Sequence, residues 1–301
     1  MSLYHFRTFR TSYFFPAIAQ DENFLYRLYQ PYGSILSKMY WWLFTHSWFV
    51  RRANLVKEPN EIFPYNRIKS LCPKGAKISF NMGTPGVEQK ISMLGVEENG
   101  KHFFAKFSYK DRPIEMSKNE IRVLDFLKGT GLAPDLFDYK IGKDFVFFRT
   151  SCVNGIPLDS LRVSQKIVDL ALAVNNNNVR IDSSTGLITC LSHGDFTPWN
   201  VMVENGFYKL IDWELSAQRV LGYDLFLFIT QFIEDGGLYE TFKKSIPFIK
   251  SYFNTFGVED WRPYLKEFLD VKIKAEREKG DNERVDFYSQ IYDFKFDNNE
   301  Q

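Results

Sequence analysis

The chain has 301 residues, 45% of them hydrophobic and 25% charged, with a formal net charge of +1. This balance excludes a disordered or fibrous chain and suits one large domain or two modest ones with a substantial core. Near-neutral charge gives no global field toward nucleic acid, so no nucleic-acid partner is expected, and three scattered cysteines, Cys72, Cys152 and Cys190, exclude a disulfide framework and point to a reducing, cytoplasmic compartment.

The N-terminal stretch MSLYHFRTFRTSYFF carries arginines but no unbroken apolar run and no small-residue cleavage site, so it does not read as a signal peptide. Residues 1–75 are aromatic and mildly basic, with Lys38, Arg51, Arg52, Arg67 and Lys69 set among Tyr, Trp and Phe. Ser34 to Val50 reads as one amphipathic helix after a Pro31-Tyr32-Gly33 turn. Its most apolar part, Met39 to Val50, is too short to span a bilayer. The region is expected to be an N-terminal extension packing on the main domain. The competing reading is a peripheral contact with a membrane or a lipid-linked substrate through residues 34–52, because Trp and Arg suit an interface.

From Lys77 the pattern turns to β. AKISFNM reads as a strand, Gly83-Thr84-Pro85-Gly86 as a turn, EQKISMLGV as a second strand, Asn99-Gly100 as a hairpin turn and KHFFAKFSY as a third strand. MSKNEIRVLDFLKGTG then reads as a helix, with Ser117 as N-cap, Glu120 at N3, Ile121, Leu124, Phe126 and Leu127 near helical spacing, and Gly129 or Gly131 as the stop. LFDYKIG and DFVFFRTS read as two more strands. After Gly155 the chain is mostly helical, most clearly at LRVSQKIVDLALAV, which Asn175 to Asn178 break. LFLFITQFI and later segments also read as helices, and the last residues of the charged tail as unstructured.

Residues 193–200 read HGDFTPWN. The spacing His-any-Asp, four residues, Asn is that of a kinase catalytic loop. There Asp195 would accept the proton of the attacking hydroxyl and Asn200 would bind Mg²⁺. VMV, an Asn205-Gly206 turn and FYKLIDWE follow, which makes a hairpin that places Asp212 as a second Mg²⁺ ligand. Each residue alone is commonly a turn or cap. The set in this order points to phosphoryl transfer.

HGDFTPWN, IDWE and the following GYDLF resemble the aminoglycoside phosphotransferase and choline kinase family over about Lys77 to Phe228; residues 1–75 lie outside the resemblance. It implies an α+β, bilobal protein kinase-like fold: a small antiparallel-sheet N-lobe (76–154, nucleotide-binding) and a mainly helical C-lobe (155–301, catalytic loop and acceptor site). To this the chain would add its N-terminal aromatic helical segment. The resemblance also implies a phosphate-gripping lysine on the third strand, met by Lys106, and a partner glutamate on the next helix, met by Glu120; Glu115 competes but precedes the expected N-cap.

The strict glycine-rich loop is absent, so backbone around Gly83, Thr84 and Gly86, with the Thr84 hydroxyl, would cover the phosphates. FFRTSCVNG resembles the hinge where adenine would bond backbone from Ser151 to Val153. Asp224 and His193 would support and orient the loop, with Asp195 the better base than His193. Trp199 would pack under the metal site. Glu214 would either help hold the metal or cap the next element.

The implied activity is transfer of phosphate from ATP or GTP, with Mg²⁺, to a hydroxyl of a small acceptor: a sugar, a glycan or lipid-linked precursor, an amino alcohol or an aminoglycoside. The alternative is a catalytically weak pseudokinase acting as a nucleotide-binding or scaffold module. A protein kinase fits poorly, because GYDLF follows Asp212 too closely to leave room for an activation loop.

Overall fold

The structure is a computed structural model that describes residues 2–17, 23–29, 31, 35–233 and 235–294. The chain divides into two compact units, Met1–Gly129 with Pro134–Cys152, and Thr130–Ala133 with Val153–Gln301.

The first unit contains, in chain order, β1 (Leu3–Arg7), β2 (Ser12–Pro16), α1 (Asn23–Tyr26), α2 (Ile35–His46), α3 (Trp48–Ala53), β3 (Leu55–Val56), α4 (Tyr65–Leu71), β4 (Lys77–Asn81), β5 (Ile91–Val96), β6 (His102–Ser108), α5 (Asp111–Phe126), β7 (Leu136–Ile141) and β8 (Val146–Thr150). Among the described residues its strands form one sheet in the order β3-β1-β2-β4-β5-β6-β8-β7, and every pairing is antiparallel. The expected sequence of three strands, a helix and two strands is therefore present as β4 to β8. The N-terminal region differs from expectation: besides helices it contributes β1, β2 and β3, which extend the same sheet.

Alternation along β6 decides what faces what. Phe103, Ala105 and Phe107 point into the main core with Phe80, Ile91 and Met93, which puts Lys106 on the opposite face of the sheet. A second, smaller core joins Phe6 and Phe15 of the N-terminal hairpin to Phe44 of α2, with Trp41 packed against it. Large aromatics carry it: Phe6 and Phe44 meet edge-on at 4.9 Å, and burying each such ring contributes roughly 1.5–3 kcal/mol.

Several helix expectations need correction. The segment 34–50 is two helices, because Ser47 breaks it and caps α3 by accepting from the Val50 N–H; the Pro31-Tyr32-Gly33 turn and Ser34 fall wholly or partly outside the described residues, as do the last residues of the tail, 295–301. α5 starts at Asp111, not after Ser117. Its N-cap is Lys110, and Pro113 is tolerated because the first turn has no N–H partner to lose. Ser117 is therefore buried in mid-helix, bonded to the Ser108 hydroxyl at 2.8 Å. Glu115 sits on the same helix but is exposed and pairs with Lys118. Phe126 is exposed, whereas Ile121, Leu124 and Leu127 are buried.

The second unit contains β9 (Ile156–Pro157), α6 (Gln165–Asn175), β10 (Arg180–Ile181), β11 (Ile188–Ser192), β12 (Val201–Glu204), β13 (Phe207–Leu210), β14 (Ala217–Val220), α7 (Tyr223–Ile229), α8 (Gly237–Asn254), α9 (Arg262–Lys279) and α10 (Asn282–Tyr292). Two small antiparallel sheets, β10-β11-β14 and β13-β12-β9, carry the loops described below. α7 is buried along its whole length, as its apolar run Leu225–Ile229 demands, and it contacts α6, α8 and α9.

Candidate active site

The HGDFTPWN segment leaves β11 and enters β12. Gly194 takes a left-handed φ of +83°, and a Cβ there would lie 2.2 Å from the Leu215 carbonyl oxygen, so only glycine fits. The N–H groups of His193 and Gly194 are both held by one buried carboxylate. Asp224, at the start of α7, is fully buried. Its Oδ2 accepts from the His193 N–H at 2.8 Å and its Oδ1 from the Gly194 N–H at 3.0 Å. The Asn175 amide also donates to Asp224 at 3.2 Å and to the Leu191 carbonyl at 2.8 Å. Tyr252 in turn donates to Asn175 Oδ1 at 2.6 Å. Burial raises the Tyr252 pKa well above its ordinary value, which keeps the phenol a donor.

His193 is completely buried. Its Nε2 bonds the Ile211 carbonyl at 3.0 Å, and a carbonyl can only accept, so that nitrogen bears the proton. Nδ1 is then free of a proton and accepts from the Asp195 N–H at 3.3 Å. Burial lowers the His193 pKa, against the raising influence of Asp224, and keeps the ring neutral. Both nitrogens are therefore engaged in shaping the loop. The ring also packs edge-on to Trp213 at 4.6 Å.

Asp195 is half-buried while Phe196, Thr197, Pro198 and Asn200 around it are buried. Phe196 packs against Phe228 of α7. The Asn200 amide nitrogen donates to the Asp195 carboxylate at 2.8 Å and to its carbonyl at 2.9 Å. With both N–H groups turned to Asp195, the amide oxygen is the atom left to meet a cation. The Asn200 carbonyl accepts from the Ile211 N–H at 3.0 Å, which continues the β12–β13 ladder beyond the Val201–Leu210 pair. Ile211 is thus bonded on its N–H by Asn200 and on its carbonyl by His193. That fixes the residue before Asp212.

Asp212 has a left-handed φ of 69°, an uncommon state for a non-glycine residue. Carboxylate oxygens of Asp212 and Glu214 lie within 4.8 Å of each other. Hard oxygen donors of this kind, with the Asn200 oxygen, suit Mg²⁺. Trp199 is exposed, contrary to expectation; the buried indole is that of Trp213, whose Nε1–H donates to the Leu210 carbonyl at 2.8 Å.

In the first unit Lys106 is flanked in register by Ser92 of β5 and Phe148 of β8, and its ammonium contacts both oxygens of Glu120 at 2.7 and 2.9 Å. Both side chains are buried. The turn at residues 83–86 is braced internally. The Gly83 N–H donates to Asn81 Oδ1, and Thr11 of the N-terminal hairpin donates to the Gly83 carbonyl at 2.8 Å. The Gly83 N–H is thus engaged within the turn, whereas Thr84 and Gly86 are exposed. The Ser151 N–H bonds the Asp135 carbonyl and its hydroxyl accepts from the Asp135 N–H, so that residue too is engaged; Val153 is half-buried.

Sequence reasoning did not single out Asn175, Tyr252 or Trp213. Asn175 lies in a run of asparagines that signalled only the end of a helix, and no local pattern connects it to Tyr252. The second unit also has a cavity of about 120 Å³ whose lining includes Arg162, Ile229, Phe232, Lys244 and Phe248.

A model of the phosphotransferase enzyme family matches residues 171–264, the stretch that runs from α6 through HGDFTPWN into α9. No curated protein sequence matches the chain. Among solved structures, an aminoglycoside-3′-phosphotransferase of type VIII is similar at 14% identity, over 68% of this chain and 95% of that one, with a TM-score of 0.50. Two others are an amicoumacin kinase in complex with AMP-PNP, Ca²⁺ and Ami, at 11% identity over 78% and 87% with a TM-score of 0.48, and an aminoglycoside phosphotransferase APH(3″)-Id from Streptomyces rimosus, at 14% over 59% and 87% with 0.41. The resemblance to the aminoglycoside phosphotransferase family holds, in the segment that carries HGDFTPWN and in the fold.

Proposed function

We propose that this chain is an ATP-dependent phosphotransferase acting on hydroxyl groups, a reading that its match to a phosphotransferase family model supports, and that it uses Asp195 as the base that takes the acceptor's hydroxyl proton. The observation that carries the assignment is the lock on Asp195: a half-exposed carboxylate oriented by the Asn200 amide, on a loop tied by Asp224 and His193. Geometry of this kind orients a nucleophile before reaction, which is most of what phosphoryl transfer asks of a protein.

Lys106, held extended by Glu120, would grip the nucleotide's phosphates. The exposed backbone at Thr84 and Gly86 is better placed to cover them than the engaged Gly83 N–H, and adenine would bond backbone near Val153. Asn200 and Asp212, with Glu214 beside them, would hold the divalent cation, taken to be Mg²⁺, which when bound neutralises phosphate charge. His193 positions the loop and does not itself move the proton.

The acceptor is a small molecule. The basic, aromatic N-terminal region favours a sugar or a lipid-linked precursor as that acceptor. Peripheral contact with a membrane through residues 34–52 belongs to the same reading.

The test is Asp195→Ala assayed for ADP release against a panel of sugars, aminoglycosides and choline. Turnover should fall by about 10²–10⁴-fold with nucleotide affinity nearly unchanged. Wild-type turnover in the variant would remove Asp195 from the mechanism. Nucleotide binding with no turnover on any acceptor would favour the scaffold alternative.

A further inference from the structure

α2 is apolar on both sides. Its inner stripe, Trp41 and Phe44, packs on Phe6 and Phe15 of the N-terminal hairpin. At 100° per residue, Ile35, Met39 and Trp42 fall on the opposite side, with Leu36 and Leu43 beside them. All are open to solvent, Ile35 at 83% and Trp42 at 57%. α3 adds Trp48 and Phe49, the latter 78% exposed. A helix that is apolar all round is normally buried on all sides, and an exposed apolar face of this kind marks a contact surface.

Charge says what the contact is. The described stretches 2–17 and 35–57 contain Arg7, Arg10, Lys38, Arg51, Arg52 and Lys57 and not a single Asp or Glu. The chain as a whole balances 38 basic against 37 acidic residues, so the basic excess is segregated here. Arg52 lies over the Trp48 ring at 4.8 Å, and Arg10 adjoins the fully exposed Phe9 at the tip of the β1–β2 hairpin. A second copy is a poor occupant, because a two-fold contact would set this cationic surface against itself. No helix among the described residues is long and apolar enough to cross a membrane.

We propose that the outer face of α2 and α3 docks on an anionic lipid bilayer. Ile35, Met39, Trp42, Leu43, Trp48 and Phe49 enter the boundary between headgroups and acyl chains, while Lys38 and Arg52 meet lipid phosphates. The helices lie in the plane of the interface. This deepens the membrane-contact part of the functional reading and does not depend on the phosphoryl-transfer part.

The experiment is co-sedimentation of the full chain with vesicles of phosphatidylcholine alone and of phosphatidylcholine mixed with phosphatidylglycerol, at low and high salt. The expected result is binding to the anionic vesicles only, weakened by salt. Lys38→Gln combined with Arg52→Gln should lower partitioning by about fivefold per charge. Trp42→Ser combined with Phe49→Ser should lower it by about tenfold or more. All these residues are exposed, so thermal melting and ATP turnover should match the wild type. Failure of the wild type to sediment with anionic vesicles overturns the proposal. So does equal binding to neutral vesicles at high salt, or a dimer, formed without vesicles, that Trp42→Ser with Phe49→Ser dissolves. Vesicle binding without turnover on any acceptor would instead remove the kinase reading and leave the docking surface standing.

Discussion

Replacing Asp224 by Asn separates the charge of the loop's anchor from its shape. The carboxylate accepts three N–H groups, from His193 at 2.8 Å, Gly194 at 3.0 Å and Asn175 at 3.2 Å. An amide offers one oxygen. Turned toward His193 and Asn175, it keeps those two bonds but sets its NH₂ against the Gly194 N–H. One charge-assisted hydrogen bond, worth about 1.5–3 kcal/mol, is lost, and a buried donor without a partner adds about 1–3 kcal/mol.

The sum is about 2.5–6 kcal/mol, below most of the ~5–15 kcal/mol range that a domain of this kind has in hand, so the variant should fold with reduced stability. Urea unfolding should show the lower midpoint. Because the donor clash falls one residue before Asp195, turnover should also fall by about 10–100-fold while nucleotide affinity stays level. An Asp224→Asn protein with an unchanged midpoint and wild-type turnover would show that this carboxylate does not hold the loop. Tyr252→Phe removes the far end of the network, the 2.6 Å bond to Asn175 Oδ1 and the 3.3 Å bond that the hydroxyl accepts from the Gly222 N–H, and should cost about 1–3 kcal/mol.

Lys106→Met takes from the buried Glu120 the ammonium that contacts both its oxygens, and should destabilise the chain by about 3–5 kcal/mol; adding Glu120→Gln should restore the melting temperature but not kcat/KM for ATP, and recovery of both would refute a phosphate-binding role. Gly194→Ala must strain a φ of +83° and push a Cβ to 2.2 Å from the Leu215 carbonyl oxygen, a cost of about 2–3 kcal/mol that a melting curve overlapping the wild type would disprove. Burial lowers the His193 pKa in the folded state, so the unfolded chain takes the proton first. Stability contributed by the neutral ring is then complete above about pH 6.5 and falls as the pH drops below that value, by at most about 1.4 kcal/mol per pH unit. His5 is also depressed, by burial and Arg7, and shares this acid limb; the readout is therefore the difference between wild type and His193→Gln in urea midpoints across pH 5–7.5, and identical limbs would count against the assignment.

What the sequence determined by itself was local in origin. The five-residue separation of Asp195 and Asn200 is a property of one loop, and the Asn205-Gly206 turn is enough to bring Asp212 back beside it. Alternation along KHFFAKFSY sets Lys106 on the face opposite Phe103, Ala105 and Phe107 whatever the sheet packs against.

Only the tertiary structure decided the rest. Ser117 has every local mark of an N-cap, but the burial of its hydroxyl against Ser108 and of Glu120 against Lys106 favours a helix begun at Asp111. β1 and β2 are aromatic segments that pair with each other as a hairpin, and the hairpin joins the sheet because β4 offers β2 an edge. Asn175, Asp224 and Tyr252 stand far apart in the chain and meet only because α6, α7 and α8 pack together. Buried polar groups must find partners, and those partners come from wherever the fold brings them.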